Sequence, residues 1–217
     1  MRPNGGNSRE MRDLVEREFA RAAKILGLAP RGVQRSFLLD LFAPGSVGME
    51  ICVHNGDFSA ELLSAVAPRE LHLVDPWHYE TGDAYKKALY GGESGGGQPQ
   101  MDRRYQRVLR RFDAEIASGQ VKVHRAFSSD ALETFPDGYF DWIYIDGNHL
   151  YEFVKADLRL SLRKTRPGGY ITGDDYGHGG WWQGGVKRAV DEFRRTEPVD
   201  VIAIKNAQFA FRRKIDP

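Results

Sequence analysis

Two short apolar runs that each stop on aspartate constrain this chain most. Trp142-Ile143-Tyr144-Ile145 closes on Asp146, and Tyr170-Ile171-Thr172-Gly173 closes on Asp174 and Asp175. Both are rich in β-branched and aromatic residues and bounded by Gly and Asp, the pattern of buried parallel strands. Between them, Tyr151 to Arg166 reads as a helix ended by Pro167-Gly168-Gly169. Strand, helix, strand is one βαβ unit, and its strands present their carboxyl ends on one sheet edge, where open α/β sheets bind ligands. Three carboxylates gathered there repel one another unless something positive joins them. A hard divalent cation is the simplest candidate.

The rest of the chain supplies more such units. Met49-Glu50-Ile51-Cys52-Val53 reads as a first strand, with Cys52 buried on it. His54 to Asp57 is a tight turn, and Phe58 to Val66 a helix with Asp57 as N-cap. Leu71 to Val74 is a second strand ending at Asp75-Pro76, and Val121 to His124 a third. A helix from Asp102 to about Ala117 buries Tyr105, Val108, Leu109, Phe112 and Ile116 and turns Arg103, Arg107, Arg110 and Arg111 outward. Val199–Ile204 and Gln208–Phe211, separated by three residues, predict an antiparallel hairpin. Residues 10–28 and Val33 to Phe42 read as helices preceding the sheet. Residues 78–100, containing GGESGGGQPQ, read as a flexible excursion with little to bury.

Composition removes several function classes. The net charge of +1 gives no global argument for nucleic acid or membrane, and the arginine face at 103–111 reads as solvated. One cysteine excludes an internal disulfide, so a reducing cytoplasm is the expected location. The 217 residues suffice for one sizeable α/β unit, expected over 46–217, with 1–45 as a tail and helical addition.

In the first strand–turn–helix, Glu50 stands on the strand and Gly56 in the turn, where glycine lets a ligand approach backbone. Asp75, at the end of the next strand, can accept hydrogen bonds from a ribose diol. The plainer reading is two ordinary strand termini.

The segments EICVHNGDFSAELL, LHLVDPW, FDWIYIDGNHLYEFVKADL and LRKTRPGGYITGDDY together resemble the class I S-adenosylmethionine-dependent methyltransferases. More narrowly, they resemble small-molecule O-methyltransferases grouped around macrocin O-methyltransferase, over residues 46 to 213. The resemblance implies a Rossmann-like α/β fold: a mostly parallel seven-stranded sheet with a terminal antiparallel strand, helices on both faces and an N-terminal helical addition. It implies that Glu50, the turn Cys52, Val53, His54, Asn55 and Gly56, and Phe58-Ser59 surround the methionine part of S-adenosylmethionine. Asp75 would hold the ribose beside Pro76 and Trp77, Phe127, Ser128 and Ser129 would line the adenine, and Asp146 would border the cofactor. Asp146, Asp174 and Asp175 match magnesium-binding positions. Cys52 stands where the family usually has the first glycine of the turn, and Asn148 where many members carry a second aspartate.

A hard divalent ion could chelate neighbouring substrate oxygens and lower the pKa of one hydroxyl. Alternatively, Asp146 touches cofactor or caps the next helix, and Asp174-Asp175 starts a loop. His149, three residues beyond Asp146, is the expected general base, with a backbone-bonded or cofactor-contacting histidine as its equal alternative. Tyr151 and His178 are weaker candidates. Trp181-Trp182 could be a lid over the acceptor or simple packing. The expected activity is O-methylation of a sugar, macrolide-like or phenolic hydroxyl, assisted by Mg2+ or another hard cation. The alternatives are a metal-independent methyltransferase of the same fold and a non-catalytic cofactor-binding protein. The expected partner is a small-molecule acceptor, with no nucleic acid or membrane, and the N-terminal helices could serve a homodimer.

Overall fold

The computed structural model describes residues 31–177 and 179–215. The expected helix over 10–28 and His178 lie outside them. Strands β1 (Val47–Ile51), β2 (Glu70–Val74), β3 (Val121–His124), β4 (Phe140–Ile145), β5 (Thr165–Gly173), β6 (Val199–Lys205) and β7 (Gln208–Arg213) form one sheet. Its order is β3-β2-β1-β4-β5-β7-β6. β7 runs antiparallel to β5 and β6, and the other pairs are parallel. The chain steps outward from β1 through β2 to β3, then returns to lay β4 on the other side of β1. That reversal opens a crevice between the carboxyl ends of β1 and β4.

Side chains alternate across the strands and so feed two cores. Ile143 and Ile145 pack with Val154 and Leu158 of α7 (Tyr151–Lys164) and with Val190 and Phe193 of α8 (Gly185–Thr196). Trp142 and Tyr144 pack on the opposite face with Leu38 of α1 (Arg31–Leu39), Leu62 of α2 (Asp57–Val66) and Val108 of α4 (Gln98–Arg111). With the short α3 (Gly92–Gly95) and α6 (Ser128–Glu133) added, helices cover both faces, as expected for a sheet of near-continuous apolar strands.

Several local expectations change. Asp57 is not the cap of α2: Gly56 is, at φ 79°, and Asp57 pairs instead with Arg111 at 2.5 Å. The anticipated helix over 102–117 starts earlier, at Gln98, and breaks at Phe112 before a short α5 (Asp113–Ser118). Pro167 and Gly168 do not separate α7 from β5 but lie within β5, where the β4–β5 register shifts. A bulge is where a strand tolerates proline.

The largest correction is residues 78–100, which pack. Tyr79 donates its hydroxyl to the Gly92 carbonyl at 2.7 Å, Glu80 N–H donates to the Tyr90 carbonyl, and Ala88 is buried. Gln98 clamps the ends, accepting from Tyr79 N–H and donating to the Trp77 carbonyl, both at 2.9 Å. A side chain at Gly95 would meet the Tyr79 ring at 2.9 Å, and one at Gly91 the Tyr85 carbonyl at 2.6 Å. At those two positions glycine permits close packing and is not a sign of flexibility.

Candidate active site

Backbone ladders continue past the strand ends and fix the edge residues in register. Cys52 N–H donates to the Val74 carbonyl, Asp146 N–H to Ile51, and Asp174 N–H to Ile145. Asp75, Asp146, Asp174 and Asp175 are thereby delivered to one edge by three different strands.

A cavity opens over β1 and β2. Of the sequence-derived cofactor residues, Cys52, His54, Asp75, Pro76, Trp77, Phe127, Ser128 and Ser129 line it. Asp75 organises its floor: its carboxylate accepts His54 N–H at 2.9 Å and Trp77 N–H at 2.7 Å, tying the first turn to the second. Phe127 and Phe153, about half exposed, are among the cavity's lining residues. Cys52 is half-buried in the turn, not buried on the strand, and has φ 72°. That is a left-handed conformation better suited to glycine. Burial pushes its thiol pKa up, which makes it a poor nucleophile.

The remaining expected cofactor residues stand back from the cavity. Glu50 is buried and accepts the Ser59 hydroxyl, and burial pushes its pKa up to about 8 against the pull of Ser59 and Arg35. Val53 is in the core, and the Asn55 carbonyl accepts from Arg111. The open side of Gly56 faces Phe112, whose ring would lie 2.7 Å from an added Cβ, so packing demands this glycine. Phe58 lies under the guanidinium of Arg35, 5.0 Å away.

The positive group that joins the aspartates is Arg35 itself. Its Nη2 donates to Asp146 at 3.0 Å and to Asp174 at 2.5 Å. Gln208 also donates to Asp174, so that carboxylate is held on two sides. Burial and the charge of Asp174 push the Asp146 pKa up, while Arg35 and His149 oppose them. Asp175 donates its backbone N–H to Asp174 Oδ1 at 2.7 Å, and its side chain accepts from His149 Nε2 at 2.6 Å.

Arg35 thus bridges two of the resemblance-derived trio, Asp146 and Asp174, while Asp175 pairs with His149. A different set converges: one ligand atom each of Asp146, His149 and Asp175 lies within 4.8 Å of the others. Two carboxylates and an imidazole fit a divalent cation, and the imidazole suits iron, nickel or zinc better than magnesium.

Two aromatic segments meet over His149. The Trp182 ring lies 4.6 Å from the imidazole and that of Trp181 5.9 Å, while Trp181 also touches Tyr85 at 5.6 Å and Tyr90 at 6.2 Å. Asn148 donates to the Tyr85 hydroxyl at 2.9 Å. His149 Nδ1 and Trp182 Nε1 are both buried with no hydrogen-bond partner among the described residues. Such orphaned atoms are uncommon in native structures and call for a reason. Tyr151 is engaged elsewhere, donating to Glu192.

Sequence reasoning missed Arg35, for which no local signal exists: its partners lie 111 and 139 residues away. It also missed Tyr85 and Tyr90. Their signal was aromatic content, since Tyr79, Tyr85 and Tyr90 recur through an otherwise polar, glycine-rich stretch.

A family model described as a methyltransferase domain matches residues 49–176. The chain belongs to the methyltransferase-domain family. Its fold is that of S-adenosylmethionine-dependent methyltransferases. A Corynebacterium glutamicum protein superposes with TM-score 0.62 at 16% identity, covering 96% of this chain and 98% of the other. The O-methyltransferase NovP superposes at 0.60 with 22% identity, covering 89% and 88%. Cofactor-bound Rv0187 from MTB superposes at 0.59 with 17% identity, covering 99% and 100%. A 45-residue stretch, 21% of this methyltransferase-family chain, is 44% identical to the uncharacterized protein R132 of Acanthamoeba polyphaga mimivirus. The match spans 20% of that relative's length. Among the described residues no helix is long and apolar enough to cross a membrane.

Proposed function

We propose that this protein transfers a methyl group from S-adenosylmethionine to a hydroxyl of a small molecule, of sugar, macrolide-like or phenolic type, with residues 46–217 as the catalytic unit. The observation that carries the reading is the His149–Asp175 pair, next in sequence to the cavity-lining Asn148, at 2.6 Å, with His149 Nδ1 buried and unpartnered among the described residues. With Asp175 accepting a hydrogen bond from Nε2–H, the imidazole is fixed in the tautomer whose Nδ1 carries a free lone pair. That atom takes the hydroxyl proton as the oxygen attacks the methyl carbon. The neighbouring indole N–H of Trp182, equally unpartnered, is a donor for the same oxygen.

In the crevice, Asp75 holds the ribose hydroxyls, and the faces of Phe127 and Phe153 sandwich the adenine near Ser128 and Ser129. The sulfonium charge disappears during transfer. The protein's tasks are therefore to align acceptor and methyl and to generate an alkoxide or phenolate.

A second reading is favoured by the convergence of Asp146, His149 and Asp175. A divalent ion held there would act as a Lewis acid on the acceptor hydroxyl, and His149 Nε2 would then be a ligand, unavailable as donor to Asp175.

The test is methyl transfer to a panel of phenolic and sugar hydroxyls by wild type and His149→Asn, with and without EDTA. Loss of about 10²–10⁴ in kcat in the variant, with cofactor affinity retained, is expected for a general base. Full activity in EDTA eliminates the ion. No calorimetric heat with S-adenosylmethionine would eliminate every enzymatic reading.

A further inference from the structure

The aspartates at the sheet edge pose a charge problem that the proposed reaction leaves unexplained. Asp146 and Asp174 point one oxygen each at the same nitrogen, Nη2 of Arg35, at 3.0 and 2.5 Å. A cation bridging two carboxylates occupies just such a position between them. Arg35 is 8% exposed, its guanidinium lies over the rings of Phe58 and Tyr144 at 5.0 and 5.5 Å, and its Nε is buried without a partner among the described residues. Arginine tolerates this burial because its charge is delocalised and weakly hydrated. Desolvating it is still costly, so the compensation must come from the two carboxylates.

We infer that Arg35 is a built-in cation: it takes the bridging place between Asp146 and Asp174, withdraws Asp174 from ion binding, and holds Asp146 in position for the acceptor site. Arg35 is thus a positioning residue, delivered by a helix outside the family-matched region. It acts through Asp146, whose second oxygen remains on the side of His149 and Asp175. Removing the guanidinium leaves three carboxylates on one edge with nothing between two of them. The arrangement should then become a stronger cation site.

The test is calorimetric titration of Mn2+ into wild type, Arg35→Met and Arg35→Lys, without cofactor or acceptor. Arg35→Met should bind Mn2+ at least about tenfold more tightly than wild type, because a repelling charge is lost and a carboxylate ligand freed. The gain should vanish in Arg35→Met/Asp174→Asn. Arg35→Lys, which keeps the charge, should stay near wild type. Equal affinity in wild type and Arg35→Met, including no binding by either, overturns the inference.

The inference rests on the proposed reading only through the role of Asp146, and the two fail separately. If wild type binds no Mn2+ but Arg35→Met does, the native metal reading is lost while the role of Arg35 stands. Should Arg35→Met not fold, Asp174→Asn carries the test. It should lower Tm, by leaving Arg35 short of a partner, and leave wild-type Mn2+ behaviour unchanged. Weakened Mn2+ binding or an unchanged Tm in that variant overturns the inference.

Discussion

Replacing Asp75 with asparagine should separate the cofactor floor from ordinary loop structure. The Asp75 carboxylate accepts two backbone N–H groups, from His54 at 2.9 Å and from Trp77 at 2.7 Å, and is only 6% exposed. Asparagine keeps one acceptor oxygen and turns an NH2 group toward the other N–H, leaving a buried donor facing a donor. An unsatisfied buried group costs about 1–3 kcal/mol. Burial pushes the Asp75 pKa up, so its charge is itself unfavourable, and the neutral amide recovers part of the loss. The net is about 1–2 kcal/mol, or a fall in Tm of about 2–8 °C for a chain of this size. Alanine removes both acceptors and should cost more. Trp77 reports the change, because its indole donates to the His54 carbonyl at 3.0 Å and its ring is buried. The assay pairs denaturation followed by tryptophan fluorescence with calorimetry of S-adenosylmethionine binding. Loss of a ribose hydrogen bond from a charged acceptor should weaken binding by about tenfold or more. A variant with wild-type Tm and wild-type cofactor affinity would refute the reasoning.

Four further outcomes follow from the same geometry. Burial pushes the Asp157 pKa up to about 7 from 3.8, against the opposing bond from Ser128. The folded state therefore holds that proton more tightly than the unfolded chain. This contribution is fully present at low pH and declines between about pH 4 and 7, by up to about 1.4 kcal/mol per unit. Urea midpoints of Asp157→Asn should slope less over that range and exceed wild type at pH 8; parallel curves would count against it. Cys52→Gly should raise Tm, by relief of about 1 kcal/mol of left-handed strain at φ 72°; an unchanged or lower melting temperature contradicts this. An alanine at Gly48 would place its Cβ 2.0 Å from the Trp142 ring, which Phe42 stacks at 4.3 Å and Ser46 anchors by a 2.8 Å bond. Overpacking of about 3 kcal/mol or more is expected, seen as insoluble protein or a large loss of Tm. Trp181→Ala should raise the KM for the acceptor and leave S-adenosylmethionine affinity unchanged, because Trp181 contacts Tyr85, Tyr90 and His149 and does not line the cofactor cavity.

The strands and their terminal aspartates were legible because parallel strands buried on both faces need continuous apolar runs, and because the ends of such runs must be polar where the chain leaves the sheet. Trp142 to Ile145 and Tyr170 to Gly173 carry that pattern locally. Asp75 was found in the same way, at the end of β2. The excursion over 78–100 was misread for an equally local reason. Glycine reads as flexibility when its neighbours are unknown, and here Tyr79 and the Tyr85 carbonyl occupy the space that side chains would have taken.

The βαβ order, the edge on which the acids gather and the charge conflict there are all written in local sequence. Periodicity and turn chemistry act over a few residues, so a few residues are enough to reveal them. How the conflict is resolved depends on the packed fold. Arg35 reaches Asp146 and Asp174 because α1 packs on the face built by Phe58 and Tyr144, and long-range charge pairing of that kind leaves no trace in local pattern. The same fold sets His149 beside Asp175, so the three acids become one arginine-bridged pair and one histidine partner.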